Sequence, residues 1–396
     1  MRLITHIKVS NLLSFGFNGA DLELQDLNVL IGPNGSGKSN FLEIFEVLKS
    51  LPRNEEDSNN LRQLILQGGG SSEWACKTFN LNGKVVKFPF ADIEVTVEDR
   101  ILLKDSPLTH NLSIDFHYTS ILSETIKTRL STDNSDFFFY EKENDITPPS
   151  VWNSKEEQII PISDSFSLSV LSRRYNNAGI FVLVDAYEKI RLYRQWCFGR
   201  NTIFRTPQRA DLRNDRLEAD FSNLGIFLSR LRKDPSTKRA LILALQDLYE
   251  GLTDFEIVTE GGSVQIFFTE GNLSIPATRL SDGSLRYLCL LAILLDPTPP
   301  PFICIEEPEL GLHPDLMPKI ADLLIDAATR TQLIVTTHSD VLIDALSEVP
   351  DSVLVCEKHD GQTSIRRLNP NDVAHWLKDY RLGQLWTRGE IGGTRW

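Results

Sequence analysis

Long apolar runs are missing from this chain of 396 residues. The longest, Leu288–Leu295, stops at Asp296-Pro297 and falls well short of the roughly 18 residues that a membrane helix needs. No membrane span is expected. The start, MRLITHIKVSNL, alternates polar with apolar and has no continuous apolar segment, so a secretory leader is not expected and the protein is placed in the cytoplasm. Cysteine is scarce and scattered. Cys76, Cys197, Cys289, Cys304 and Cys356 form no CxxC pair, which excludes a disulfide framework and a zinc site of that spacing. Cys289 and Cys304 lie in apolar stretches and read as core. Positive charge is in deficit: 41 Lys and Arg against 54 Asp and Glu give a net charge of −13. The overall field therefore does not favour nucleic acid, and any such contact needs a local basic patch. Internal repeats and low-complexity tracts are absent. The remaining balance, 41% hydrophobic and 24% charged, is that of a folded chain with a sizeable core. Its length allows two or three domains, or one elaborated α/β domain.

Hydrophobic patterning divides the chain. Residues 2 to 9 and Ala20 to Gln25 alternate as strands, and Leu27 to Ile31 is a short apolar run suited to a strand buried on both faces. A helical pattern follows from Lys38 to Leu51, with Phe41, Ile44, Phe45 and Leu48 on one face. Residues 75 to 120 predict several antiparallel strands, ADIEVTVED and NLSIDFHYT being period-two runs. Residues 121 to 165 are polar, with prolines at 148, 149 and 161, and predict loops and short elements. From Asn177 to about Leu248 the pattern is helical, and Phe255 to Phe268 predicts a hairpin around Glu260-Gly261-Gly262-Ser263. Thereafter helices at 283–295, 315–328 and 340–347 alternate with strands at 302–306, 332–336 and 352–357. That alternation predicts an α/β fold with a mainly parallel sheet. The expected division is 1–120, the N-terminal part of the main domain with an antiparallel β subdomain; 121–252, a mostly helical insertion or lid; and 253–396, the C-terminal part of that domain and a tail.

Gly32-Pro33-Asn34-Gly35-Ser36-Gly37-Lys38-Ser39 fits GxxxxGK[ST] between a predicted strand and a predicted helix. Glycines let the backbone curl so that several N–H groups point at one phosphate, and the helix start adds favourable partial charge. Asn34, Gly35, Ser36, Gly37, Lys38, Ser39 and Asn40 are the expected nucleotide-binding residues. Lys38 is assigned to the β- and γ-phosphates and Ser39 to Mg²⁺. Phe302-Ile303-Cys304-Ile305-Glu306-Glu307 is an apolar strand running into two carboxylates, which are costly at a buried strand end unless a cation and a water compensate them. Glu306 is assigned to the Mg²⁺ shell, through water, and Glu307 to polarising the attacking water. ATP and Mg²⁺ are the implied cofactors.

Leu280-Ser281-Asp282-Gly283-Ser284 opens the next helix, about 20 residues before the acidic strand. Here the chain resembles the ATP-binding-cassette superfamily, whose signature is LSGGQ-like. Asp282 and Ser284 depart from that pattern; Ser281 and Gly283 match it. The resemblance implies that Ser281 and Gly283 of one protomer cap the γ-phosphate held by another. Pro308 to Pro314 resembles the family's dimer-contacting D-loop, where His313 is a candidate with helix-start packing as its alternative. Leu333-Ile334-Val335-Thr336-Thr337-His338-Ser339 resembles the strand that carries the family's switch histidine, which makes His338 a catalytic candidate beside Glu307 and Lys38. No glutamine is placed in the Q-loop, although Gln63 and Gln67 are candidates. About 240 residues separate Ser39 from Leu280. That spacing exceeds the one in transporter subunits, and neither sustained heptads nor a CxxC hook marks an SMC coiled coil. The chain is most similar to the compact RecF-like or OLD-like branch, over about residues 1 to 55 and 270 to 345, with IEEPELGLHP and TTHSD especially OLD-like. Only about 50 residues follow His338, too few for the Toprim nuclease of OLD proteins, so a stand-alone ATPase is expected.

Three of six tryptophans, Trp376, Trp386 and Trp396, fall near the end. This tail resembles that of bacterial stand-alone ATPases encoded beside a small partner in anti-phage defence; a disordered end is the alternative. The implied function is an ATPase that forms a homodimer or higher oligomer around ATP and controls an effector, a nuclease or toxin encoded nearby. A RecF-like DNA-repair ATPase and a nucleotide sensor with negligible turnover are the alternatives. Residues 189 to 216 hold eight Lys and Arg against two acidic residues, interleaved with Tyr193, Trp196, Phe198 and Phe204. They are a candidate surface for nucleic acid or a protein partner. The competing expectation is that the arginines neutralise acidic neighbours within the fold.

Overall fold

A computed structural model of the protein describes residues 2–79, 85–98, 106–129, 136–143, 148–153, 158–162, 168–173, 175–196, 199, 202–203 and 205–393. The chain forms two compact units, each assembled from separate segments.

The unit built from Arg2–Ile190, Asp351–Asn369 and the last residues contains an eight-stranded sheet. Its order is Gln158–Pro161, Ser150–Asn153, Asp136–Lys142, Ser120–Arg129, Leu108–Asp115, Phe90–Val97, Ile4–Ser10, Ala20–Glu23. The pairings are antiparallel. Leu108–Asp115 alternates buried with half-exposed along its whole length, as one solvated face requires. The helix Ala178–Glu188 packs on this sheet and on the helix Lys38–Ser50. In the same unit Leu27–Ile31, buried at every position, runs parallel to Val353–His359, which pairs in turn with Gln362–Arg367.

Four of the eight strands fall wholly or mostly within residues 121–165, where loops and short elements were expected. The reason is visible on the inward face. Glu124, Thr128 and Lys142 occupy buried positions and interrupt the apolar alternation that marks a strand. They are satisfied locally. Lys142 Nζ donates to Ile121 O at 2.7 Å and Thr128 Oγ1 to Pro107 O at 2.8 Å. Glu124 accepts from Val170 N at 2.8 Å, from Ser169 Oγ, and lies 3.1 Å from His110 Nε2. Register shifts near Ser113 and Ile126 break the period further.

The unit built from Arg191–Pro350 and Pro370–Glu390 carries the parallel pair Phe302–Glu306 and Gln332–Thr336, in register at Glu306 and Thr336. The helix Asp282–Leu294 is buried from Leu285 to its end, as its nearly unbroken apolar sequence requires. Met317–Ala328 and Asp340–Ala345 follow their strands at the expected places. Leu252–Glu260 and Ser263–Glu270 form the expected hairpin, with Gly261 at φ 57° and Gly262 at φ 77°. Two positive φ values at the centre match the twist of a tight hairpin. The helical expectation for 177–248 holds for Ala178–Glu188, Leu224–Leu231 and Pro235–Leu248, but Ile190–Tyr193 and Gln208–Arg209 are strands. In the C-terminal segment Leu382, Leu385 and Trp386 are buried, and Leu382–Thr387 packs on Asp340–Ala345. Trp396 lies outside the described residues. No helix among the described residues is long and apolar enough to cross a membrane.

Candidate functional site

The phosphate loop leaves the buried strand Leu27–Ile31 at Gly32, φ 150°. A Cβ here would collide with Cys356 O and stand 2.8 Å from Ser36 Oγ, so only glycine fits. Gly35 and Gly37 also have positive φ, 79° and 106°. Gly37 is the N-cap of Lys38–Ser50 and, as glycine, supplies no side-chain cap. Lys38 is buried, and its Nζ donates to Gly32 O at 2.7 Å and Pro33 O at 3.2 Å. Ser36 is buried with its Oγ unpartnered among the described residues. Asn34, Gly35 and Ser39 are exposed. An uncapped helix start, an orphaned buried hydroxyl and an ammonium folded onto its own loop carbonyls together fit a phosphate group. The Asn40 side chain turns aside: its Nδ2 donates to Ser14 Oγ at 2.7 Å. Cys356, beside the loop, has its thiol pushed up to about 12 by burial, against the pull of the Lys38 cation.

In the other unit, the ends of two parallel strands gather the acidic pair and the histidine. Glu307 has φ 48°, a left-handed conformation rare for a residue with a Cβ and costing about 1–3 kcal/mol. Its N–H is shared between Thr336 O at 3.0 Å and Thr336 Oγ1 at 3.2 Å. His338 Nε2 lies 3.4 Å from Glu307 Oε1, and His338 N donates to Glu309 Oε1 at 2.7 Å. Burial holds the Glu309 carboxyl above the usual range. Glu306 Oε2 accepts from Arg194 Nε at 2.9 Å, and Trp196 Nε1 donates to Glu306 O at 2.7 Å. A guanidinium thus already neutralises the carboxylate expected to face a cation. Arg286 stacks over Trp196 at 4.7 Å and donates to Glu307 O at 3.2 Å. Burial lowers this arginine to about 10, while Glu309 and Glu307 oppose the shift.

Ser281 caps the helix Asp282–Leu294, its Oγ accepting from Ser284 N at 3.0 Å. Gly283 packs close to the D-loop-like turn, where an added Cβ would stand 3.1 Å from Gly311 O. Asp282, where the family has glycine, pairs with Arg205. Arg205 is nearly buried and also donates to Leu280 O at 2.6 Å and Ala277 O at 3.2 Å, so it staples the turn that begins the signature. His313 is exposed and accepts from Asp315 N at 3.3 Å, which is the helix-start arrangement. Gln63 and Gln67 both lie in the helix Leu61–Gln67.

Part of the basic stretch folds into the protein, and part pairs with acidic neighbours at the surface. Arg194 and Arg205 hold Glu306 and Asp282, while Arg209, Arg213 and Arg216 pair with Asp211, Asp215 and Glu218. Tyr193 and Trp196 stack against Phe221. Cys197, Phe198, Arg200 and Phe204 lie outside the described residues. Arg194, Arg205 and Arg286 were missed as site residues because composition shows a basic run but not the carboxylate each cation meets. The unexplained Asp282 in the signature was the one available signal for Arg205.

Residues 27–344 match the family described as "AAA domain, putative AbiEii toxin, Type IV TA system". No curated protein matches the chain. Among solved structures it is similar to an Smc head domain with an extended coiled coil, bound to the C-terminal domain of ScpA, from Pyrococcus furiosus, at TM-score 0.59 and 14% identity over 96% of this chain and 99% of that one. An SmcHead bound to the C-winged helix domain of ScpA gives 0.56 and 14% over 94% and 99%, and an Smc head with a coiled coil and joint from Pyrococcus yayanosii gives 0.52 and 11% over 96% and 99%. At such identities the likeness is one of fold. With the family match spanning residues 27–344, most of its length, the chain belongs to this AAA family, and its fold is like that of Smc heads.

Proposed function

We propose that the chain binds ATP with Mg²⁺, dimerises around it, hydrolyses it and uses the cycle to control an effector protein. The observation that carries the hydrolytic part is the placement of Glu307 and His338 at the ends of adjacent parallel strands, 3.4 Å apart, with Glu307 held in a strained conformation. Bound Mg²⁺–ATP would supply the phosphoanhydride and the charge-neutralising cation. The backbone amides of Gly35 to Ser39 and Lys38 Nζ, which lies 2.7 Å from Gly32 O within the loop, would hold phosphate oxygens. Ser39 and Glu306 are the residues assigned to a Mg²⁺ shell; Glu306, whose Oε2 accepts from Arg194 Nε, would have to share its carboxylate with that arginine or exchange it. Glu307 orients a water and accepts its proton, while His338 Nε2 holds that carboxylate from one side.

The effector part draws on the family. Its description names a toxin–antitoxin setting, and two of the similar Smc heads carry a bound ScpA domain. These support a protein partner and a toxin–antitoxin setting. In the dimer, Ser281 and Gly283 are the residues assigned to cap the partner's nucleotide. Glu307→Gln tests the catalytic assignment: nucleotide binding is kept and turnover falls by about 100-fold or more, because the metal shell survives while the water loses its base. Equal turnover in the variant and the wild type, measured by phosphate release, excludes Glu307 from that role.

A further inference from the structure

A chain of three side chains, distant in sequence, reaches the phosphate loop from behind. Thr363 lies on the strand Gln362–Arg367 and is buried. Its Oγ1 lies 2.8 Å from Ser36 O and 2.7 Å from Ser14 Oγ, and Ser14 Oγ accepts from Asn40 Nδ2 at 2.7 Å. The directions are forced. A carbonyl can only accept, so the single hydroxyl proton of Thr363 goes to Ser36 O. The Ser14 hydroxyl then donates to Thr363 Oγ1 and accepts from the Asn40 amide. The relay runs Asn40, Ser14, Thr363, Ser36 carbonyl.

The consequence lies in the peptide between Ser36 and Gly37. In a planar trans peptide the carbonyl and the following N–H point in opposite directions. Holding Ser36 O towards Thr363 therefore aims Gly37 N–H the other way, away from Thr363. Gly37, at φ 106°, has the conformational freedom that would let this peptide plane turn over if nothing held it. A Cβ on Gly37 would collide with Thr363 Oγ1, so with threonine at 363 only glycine fits at 37. The Ser36 hydroxyl, buried beside this peptide, has no partner among the described residues, which leaves the fixed carbonyl and amide to define the loop.

We propose that Thr363 is a positioning residue for nucleotide binding: through Ser36 O it locks the Ser36–Gly37 peptide in the orientation that presents Gly37 N–H to a phosphate. This rests on the reading of the loop as the nucleotide site. The Thr363 backbone is anchored independently, by Thr363 N to Ser14 O at 2.8 Å and by pairing with Lys358, so its hydroxyl can be removed without moving the strand.

The test is equilibrium binding of a fluorescent ATP analogue and of ADP to the full chain, with thermal melting in parallel. Thr363→Val, which keeps the shape and loses the donor, weakens binding by about tenfold, the worth of one oriented hydrogen bond. Thr363→Ser restores it to within about twofold of wild type, and turnover at saturating ATP stays unchanged in both. Should Thr363→Val melt too low to measure, Ser14→Ala, which breaks the relay one link earlier, weakens binding about threefold. Wild-type affinity in Thr363→Val, or in Ser14→Ala where that variant stands in for it, overturns the proposal, as does a Thr363→Ser as weak as the valine variant. Lys38→Ala separates the two levels: if it loses binding while Thr363→Val does not, only the relay fails. If Lys38→Ala also binds as wild type, the nucleotide reading of the loop fails with it.

Discussion

Glu309 shows how a single residue near the candidate site shapes stability. Its carboxyl is raised by burial while its Oε1 accepts from His338 N at 2.7 Å. A raised carboxyl binds its proton more tightly in the folded state. The resulting destabilisation is absent below the unfolded value near pH 4.5, grows as pH rises through the folded value, and is complete above it. Glu309→Gln keeps an acceptor for His338 N and removes the charge. It is expected to be more stable than wild type at pH 8, with the gap closing towards pH 4, in urea unfolding at the two pH values. A gap that widens towards acid would contradict this. At this scale the sequence was legible wherever chemistry is concentrated in a motif: Lys38, Glu306, Glu307 and His338 stand out because glycine runs and adjacent carboxylates are rare. The positions that hold them were not legible. Arg194 meets Glu306 across 112 residues and Thr363 meets Ser14 across 349, and neither contact leaves a local pattern.

At the scale of elements, the signature helix depends on a residue from the insertion. Asp282 occupies the first turn of the helix Asp282–Leu294, where a negative charge is favourable, and pairs with the nearly buried Arg205. Asp282→Gly would bring the motif closer to the family's pattern. Here it leaves Arg205 without its carboxylate partner and loses the helix-start charge, so a destabilisation of about 1–3 kcal/mol is expected in urea unfolding. A variant as stable as wild type would show that the pair contributes nothing. Elements with apolar periodicity were legible: Leu27–Ile31, Lys38–Ser50, Phe302–Glu306 and Gln332–Thr336 lie within a residue of where the pattern places them. The strands of 120–161 were not. Their inward faces carry Glu124, Thr128 and Lys142, whose burial is made tolerable by partners that only the folded chain supplies.

On the scale of the whole molecule, the α/β class and the order of motifs were legible, because strand–helix alternation and the phosphate loop survive in one sequence. The compact units were not. One unit joins Arg2–Ile190 to Asp351–Asn369 and the last residues, the other joins Arg191–Pro350 to Pro370–Glu390, and contact between distant segments has no periodicity to read. The proposed cycle adds a second protomer, with Ser281 of one chain serving the nucleotide held by Lys38 of the other. The most direct measurement is sedimentation of Glu307→Gln with and without Mg²⁺–ATP, with Ser281→Arg added in a second sample and bound nucleotide quantified in each. The account predicts a dimer only with Mg²⁺–ATP, and a monomer that still binds nucleotide once Ser281→Arg is present. Nucleotide-loaded Glu307→Gln that stays monomeric, or a dimer indifferent both to nucleotide and to Ser281→Arg, would contradict it.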